Sequence, residues 1–233
     1  MSDGPNVSAT AALIGDSTRA AMLSALLDGK ALPAGELAYA SGVTAQTASA
    51  HLAKLVDGGL LESETEGRHR YYRLAGPHVA QALEVLAAIR PAGPVRAKPQ
   101  TARQKELRFA RRCYDHLAGE LGVAVTHQLL DRGLIVRDTD KSFNLTSAGV
   151  SWFQQIGIDV AALNPGRRGL ARQCLDWTER THHLGGPLGV ALLEAFSELG
   201  WLRRSRETRA IQVTLKGQFE LRQRLGVEVH LPG

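Results

Sequence analysis

A chain of 233 residues, 44% hydrophobic and 22% charged, has the balance of a globular protein with real cores and excludes a disordered polypeptide. Aromatics are only 5% of it, so Leu, Val and Ala must fill those cores, and no run of eighteen apolar residues is present to cross a membrane. The formal net charge of +5 is a weak pointer to an anionic partner such as a nucleic acid, because Lys and Arg neutralise phosphates. The polar start Met1–Ser8 lacks a signal-peptide core, and two cysteines, Cys113 and Cys174, are too few for a disulfide framework. Both features point to the cytoplasm.

In chain order, Leu13, Ala20, Leu23, Leu26 and Leu27 recur at helical spacing, broken at Gly15-Asp16, where Asp-Ser-Thr starts a new helix. Pro33 opens a further helix to Ala40, and Ser41-Gly42 turns the chain. Thr44 then caps a helix to about Asp57 that is closed by Gly58-Gly59. Two strands, Leu60–Glu64 and Arg70–Leu74, flank a turn at Glu66-Gly67. A helix from about His78 to Ile89 presents Val79, Leu83, Leu86 and Ile89 on one face.

Three prolines mark Arg90–Pro99 as a linker. The expected organisation is a first domain over 1–90, a basic linker over 91–102 and a third segment over 103–233, a candidate effector-binding or oligomerisation domain. That last segment repeats itself. His116-Leu-Ala-Gly-Glu-Leu-Gly-Val-Ala124 returns as His183-Leu-Gly-Gly-Pro-Leu-Gly-Val-Ala191, and Leu145-Thr-Ser-Ala-Gly149 as Val213-Thr-Leu-Lys-Gly217. The copies run over about 103–160 and 165–229. Each reads as helix, turn, helix, strand, charged turn, strand, helix, a winged-helix-like lobe. The expected fold class is mainly α with small β wings: a winged helix–turn–helix followed by two repeated winged-helix-like lobes.

A helix–turn–helix places its second helix in the major groove, with polar side chains near the N-terminus reaching base edges and phosphates. Thr44, Gln46, Thr47 and Ser49 occupy that end, with Lys54 further along, while Ala48, Leu52 and Leu55 face inward. Arg68 and Arg70, near the tip of the wing, are placed to reach phosphates or a minor groove. His51 is read as packing or capping within the domain.

Three motifs in order carry a family resemblance: Gly15-Asp-Ser-Thr-Arg-Ala-Ala-Met-Leu-Ser-Ala-Leu-Leu27, the helix–turn–helix from Glu36-Leu-Ala to Leu55, and Gly67-Arg-His-Arg-Tyr-Tyr-Arg-Leu74. Residues 8–90 resemble the ArsR/SmtB family of winged-helix repressors. The resemblance implies a homodimer joined by the first and last helices of the domain, and repression altered by an inducer. Metal-sensing members carry thiols in the helix equivalent to Glu36–Ser41; this chain has Glu36-Leu-Ala-Tyr-Ala40 there, and only His78 on the last helix. No cofactor is therefore expected, and a small organic effector is the expected trigger, with the interface between the repeated lobes as its place; Trp152, Phe153, Trp177, Phe196 and Trp201 are the aromatics available to line it, and each taken singly reads as core.

The third segment leaves two readings open. Leu170, Cys174, Trp177, Thr181 and Leu184 share a helical stripe, which makes Cys174 a core residue, and His116 and His183 precede Leu-x-Gly turns as helix caps. Alternatively, Cys113, His116 and Glu120, and likewise Asp176, Glu179 and His183, fall at helical i, i+3, i+7 spacing. A pseudo-two-fold would then bring His116 and His183 together, and thiolate, imidazole and carboxylate so arranged suit a borderline metal such as zinc, with Cys113, His116, Cys174 and His183 as the candidate ligands. A redox role for a thiol whose pKa is depressed by nearby Arg111, Arg112 and His116 is a further reading. The chain has no Gly-rich phosphate loop or nucleophile elbow, so it is not expected to be an enzyme. The principal alternative to a sequence-specific regulator is an architectural nucleic-acid binder, using the eight Lys or Arg of Arg90–Arg112.

Overall fold

A computed structural model describes residues 7–66, 69–89, 102–165, 169–205 and 208–231. The chain divides into two units, Met1–Leu83 and Glu84–Gly233. In the first unit α1 (Val7–Ile14) and α2 (Ser17–Ala25) meet at Gly15-Asp16. There Asp16 Oδ1 accepts the Arg19 amide at 2.9 Å, which satisfies one of the free N–H groups at the start of α2. Next come β1 (Leu32–Pro33), α3 (Ala34–Ser41), α4 (Ala45–Asp57), β2 (Leu61–Glu66) and β3 (His69–Leu74), and α5 (Pro77–Ile89) runs through the unit boundary.

The first unit is a winged helix–turn–helix. Met22, Leu23 and Leu26 of the α2 segment, Leu37 of α3, and Leu52 and Leu55 of α4 are fully buried in one cluster. Gly42 closes α3 in the left-handed conformation and turns the chain into α4. Antiparallel β2 and β3 form the wing, with Leu61 opposite Leu74 and Glu66 opposite His69. Strand β1 adds to β3 with Leu32 opposite Tyr72; a strand of two residues carries no alternation for a sequence pattern to reveal. The turn residues 67–68, Arg68 included, lie outside the described residues, as does the proline-rich stretch 90–101. On α5, Val79 and Leu83 are buried as their spacing implies, whereas Leu86 and Ile89 are 48% and 72% exposed.

In the second unit α6 (Ala102–Phe109) precedes two runs of elements in the same order. The first is β4 (Arg111–Cys113), β5 (His116–Ala118), α7 (Gly119–Asp131), β6 (Ile135–Arg137), β7 (Phe143–Leu145) and α8 (Ser147–Gln155). The second is β8 (Arg172–Leu175), β9 (His182–Gly185), α9 (Gly186–Glu198), β10 (Leu202–Arg204), β11 (Ile211–Val213) and α10 (Leu215–Leu225). Their contacts are reciprocal. The Arg112 amide donates to Arg209 O at 2.8 Å, while the Gln173 amide donates to Lys141 O at 2.8 Å. Thus β4 pairs with the β10–β11 segment and β8 with the β6–β7 segment. Leu129, Phe153, Leu188, Leu193, Phe196 and Leu221 are fully buried in the shared core, and Phe196 stacks on Trp201 at 4.9 Å.

This arrangement corrects the helix expected ahead of each Leu-x-Gly motif. Both segments are β-hairpins, in which Cys113 pairs with His116 and Cys174 with His183. The apparent helical stripe from Leu170 to Leu184 is divided between antiparallel strands, so neither histidine caps a helix C-terminus. Each hairpin instead runs straight into a helix through Gly119 at φ 83 or Gly186 at φ 78. A Cβ at Gly119 would sit 2.5 Å from Arg108 O, so this corner combines a left-handed φ with a close backbone approach that only glycine accommodates.

Candidate nucleic-acid interface and a buried cysteine–histidine cluster

The start of α4 is organised by Thr44, whose Oγ1 accepts the Thr47 amide at 3.3 Å and lies 3.0 Å from Thr47 Oγ1. Ala48, Leu52 and Leu55 anchor the underside of the helix in the core. That anchoring leaves Thr44, Gln46, Thr47, Ser49 and Lys54 exposed. The N-terminal backbone N–H groups add a partial positive charge suited to a phosphate. Ser49 Oγ donates to Ala45 O at 3.0 Å, so its hydroxyl is already engaged within the helix. Gln46, with the longest amide-bearing side chain at this end, has the reach to pair with a base edge. Along the wing, exposed Arg70 donates from Nε to Ser63 Oγ at 3.0 Å and lies 5.8 Å from the centre of the Tyr72 ring. His51 is half-buried, with Nδ1 3.6 Å from Asp16 Oδ1, which places it inside the domain, towards the α2 cap.

In the second unit the hairpins bring four soft or borderline donors together. Cys113 Sγ and Cys174 Sγ are 4.0 Å apart, and His116 Nε2 and His183 Nε2 are 3.1 Å apart. One donor atom from each of these four residues lies within 4.8 Å of every other. His116 and His183 are buried, as is Cys113, and Cys174 is partly covered. A Cβ at Gly185 would stand 3.1 Å from His116 Nε2 and 3.2 Å from Cys174 Cβ, so the absence of a side chain there leaves room for the cluster.

Carboxylates hold both rings from behind. His116 Nδ1 is 2.8 Å from Asp115 Oδ1, and His183 Nδ1 is 3.3 Å from Asp176 Oδ2; the second contact is off-line for a good hydrogen bond and acts mainly through charge. Asp176 is fully buried. Its Oδ1 accepts from Arg111 Nη2 at 2.9 Å, the Thr178 amide at 2.9 Å and Thr178 Oγ1 at 2.7 Å, and its Oδ2 accepts the Gly119 amide at 2.7 Å. Burial pushes the Asp176 carboxyl up, but His183, Arg111 and Thr178 outweigh it and hold the group well below the usual carboxylate range. For His116, burial acts downward, yet Asp115 and Cys113 raise the imidazole to about 9.

The activation expected for the Cys113 thiol runs in the opposite direction. Its hydrogen bond with Cys174, then burial, push the Cys113 thiol up to about 12, while the same contact draws Cys174 down. Arg111, expected to activate that thiol, is committed to Asp176. Glu120 and Glu179 are not part of the cluster either; each carboxylate lies 3.1 Å from Arg108 Nε. Asp115 was missed as a ring partner, and the only signal for it was its place in a two-residue turn beside His116. Of the aromatics expected to line an effector pocket, Phe153, Phe196 and Trp201 are core residues.

A family model described as a helix-turn-helix domain matches residues 14–64. The HTH-type transcriptional regulator YdfF of Bacillus subtilis is 42% identical over 225 residues, covering 97% of this chain and 99% of that protein. The HTH-type transcriptional regulator CmtR of Mycobacterium tuberculosis is 42% identical over 76 residues, 33% of this chain and 64% of that protein. Among solved structures, the homodimeric winged helix-turn-helix DNA-binding domain from Mycobacterium bovis is 28% identical, with 38% of this chain and 89% of that chain covered at a TM-score of 0.34.

Proposed function

Because the chain belongs, along nearly its whole length, to a family of HTH-type transcriptional regulators, with an ArsR-type helix–turn–helix near its N-terminus, we propose that it is a homodimeric repressor that reads a specific duplex through α4. In this reading Gln46 and Thr47 meet base edges, while Thr44 and Lys54 hold the adjacent backbone and Ser49 joins them on releasing its bond to Ala45 O. Arg70 of the wing, and Arg68 beyond the described residues, neutralise phosphates. The observation that carries it is the two-sided character of α4: an apolar underside buried to Leu55 and an exposed polar N-terminal end. An exposed helix start of this kind, anchored rigidly from below, is what major-groove readout requires.

Dimerisation is assigned to α1 and α5. Val7 on α1, and Val85, Leu86 and Ile89 on α5, are large apolar side chains exposed in the single chain. Covering such side chains favours association. We assign residues 1–90 to DNA binding and dimerisation, 91–102 to a basic linker, and 103–233 to effector response. The two lobes over about 103–160 and 165–229 would be copies of one winged-helix-like unit, a reading supported by their common element order. Among the described residues no helix is long and apolar enough to cross a membrane, which is compatible with action beside DNA in the cytoplasm.

The test is selection of a bound duplex from a random pool, followed by fluorescence anisotropy on the selected and a scrambled duplex across a salt series. A specific regulator binds the selected duplex roughly 10³-fold or more tightly than the scrambled one at physiological salt. Equal affinity for both, with the same salt slope, would overturn specific reading in favour of an architectural binder.

A further inference from the structure

We propose that Cys113, His116, Cys174 and His183 form a closed, four-ligand binding site for a zinc-type divalent cation, built from one hairpin of each lobe of the second unit. The proposal is independent of the DNA-reading assignment, since every ligand lies in the second unit. It is also separate from α3, where Glu36-Leu-Ala-Tyr-Ala40 offers no thiol.

Geometry supports it first. A tetrahedral ion with Zn–S of about 2.3 Å and Zn–N of about 2.05 Å sets two sulfurs roughly 3.8 Å apart and two nitrogens roughly 3.3 Å apart. The observed separations are 4.0 Å for the sulfurs and 3.1 Å for the Nε2 atoms, so small side-chain adjustments suffice. The backbone delivers the donors in matched pairs. Residues directly opposite on an antiparallel hairpin project to the same face, and both Cys113–His116 and Cys174–His183 are such pairs.

Chemistry supports it second. Asp115 and Asp176 stand beside the two Nδ1 atoms, and with the ring protons held on that side both Nε2 atoms would present lone pairs to each other across 3.1 Å. Two buried acceptors facing one another repel unless a cation or a shared proton stands between them. A carboxylate behind each ligating imidazole is the outer shell that fixes ring orientation and raises ligand basicity at metal centres. Asp115 and Asp176 occupy those places. Two thiolates and one divalent cation sum to zero charge, which suits a buried site. The N2S2 set favours a borderline-soft ion over Mg²⁺ or Ca²⁺, which take oxygen ligands. Four protein ligands leave no open position, so the site holds or senses its ion and does not activate a water. Binding proceeds with balanced protons: each cysteine thiol loses one proton to solvent as its sulfur–metal bond forms, and an imidazole that carries a second proton loses it from Nε2 as its nitrogen–metal bond forms.

The test uses full-length protein, reduced, stripped by chelation and then titrated with Co²⁺ as a spectroscopic probe. The expected result is saturation at one Co²⁺ per chain, with the intense visible ligand-field bands of a tetrahedral site and a near-ultraviolet thiolate-to-cobalt band. Stoichiometric Zn²⁺ should bleach both, and Co²⁺ uptake by the stripped protein should release about two to three protons per ion, read in weakly buffered solution with an indicator dye. Cys113→Ser and Cys174→Ser should each remove about half of the charge-transfer intensity. Should either variant fail to fold by circular dichroism, the wild-type spectrum and proton count decide alone. Octahedral, pale spectra without the thiolate band, or no proton release, would overturn the proposal, because they describe adventitious ions on surface histidines. So would a reduced, folded protein that takes up no Co²⁺, which would leave a shared proton as the bridge between the imidazoles.

Discussion

Asp176→Asn tests whether the buried ion pair organises the second unit. The substitution preserves shape, so it opens no cavity, but it removes the charge that faces Arg111, a side chain only 1% exposed. One carboxylate oxygen becomes an NH2 group, so at least one of the Arg111, Thr178 and Gly119 donors now meets another donor. Removing one partner of a buried pair costs about 3–5 kcal/mol. The lower end is expected here, because Arg111 Nη1 retains Leu107 O and Thr178 Oγ1 at 3.2 Å each. For a chain of this length each kcal/mol moves Tm by about 2–4 °C, so a fall of roughly 6–12 °C is expected. Trp152, Trp177 and Trp201 are the chain's three tryptophans and all lie in the second unit, so their fluorescence during urea unfolding in chelator reports this unit alone. Arg111→Met combined with Asp176→Asn should lose less than the sum of the two single changes, because the orphaned charge is gone. A single-variant loss under about 0.5 kcal/mol, or strict additivity, would refute the role given to the pair.

Gly149→Ala and Gly217→Ala should each destabilise the second unit by about 1–3 kcal/mol in the same fluorescence assay. Their Cβ atoms would fall 1.9 Å from Leu134 O and 2.0 Å from Trp201 O, and similar losses are expected because Thr146 and Thr214 cap both helices alike. Gly35→Ala, at an exposed position of α3 with nothing within 4 Å of the new Cβ, should stabilise the first unit by about 0.4–1 kcal/mol, read as a higher urea midpoint by circular dichroism. In anisotropy titrations Gln46→Ala should cost about 1–3 kcal/mol on the selected duplex and little on a scrambled one. Lys54→Ala should weaken both alike and lower the salt slope by about 1; the opposite pattern would exchange their roles.

The winged helix was legible because its signals are local. Asp16 and Thr44 cap the helices they precede, Ala48, Leu52 and Leu55 repeat at the helical period, and Leu61–Glu66 and His69–Leu74 bracket a short turn. The two hairpins were not legible, and the reason is geometric. Residues at i and i+3 share a face of a helix, but across a two-residue turn they are also cross-strand neighbours, so Cys113 and His116 satisfy both templates. The second lobe does not share that ambiguity. Cys174 and His183 are nine positions apart and meet only because a long turn from Asp176 to Thr181 lets the strands pair, as the 2.8 Å bond from the Asp176 amide to Thr181 O shows. Reading the two His-Leu-x-Gly segments against each other would therefore have favoured hairpins: a spacing of three in one and nine in the other is reconciled by turns of different length, whereas a helix permits no such change without rotating His183 off the face. The carboxylate set follows from the same error. A helical reading recruited Glu120 and Glu179 by periodicity, but the hairpins turn those side chains to Arg108 and bring in Asp115 from the turn itself. Asp176 survives in both readings for different causes, as a helical neighbour in one and in the other as the buried acceptor that ties Arg111, Gly119 and His183 to one point.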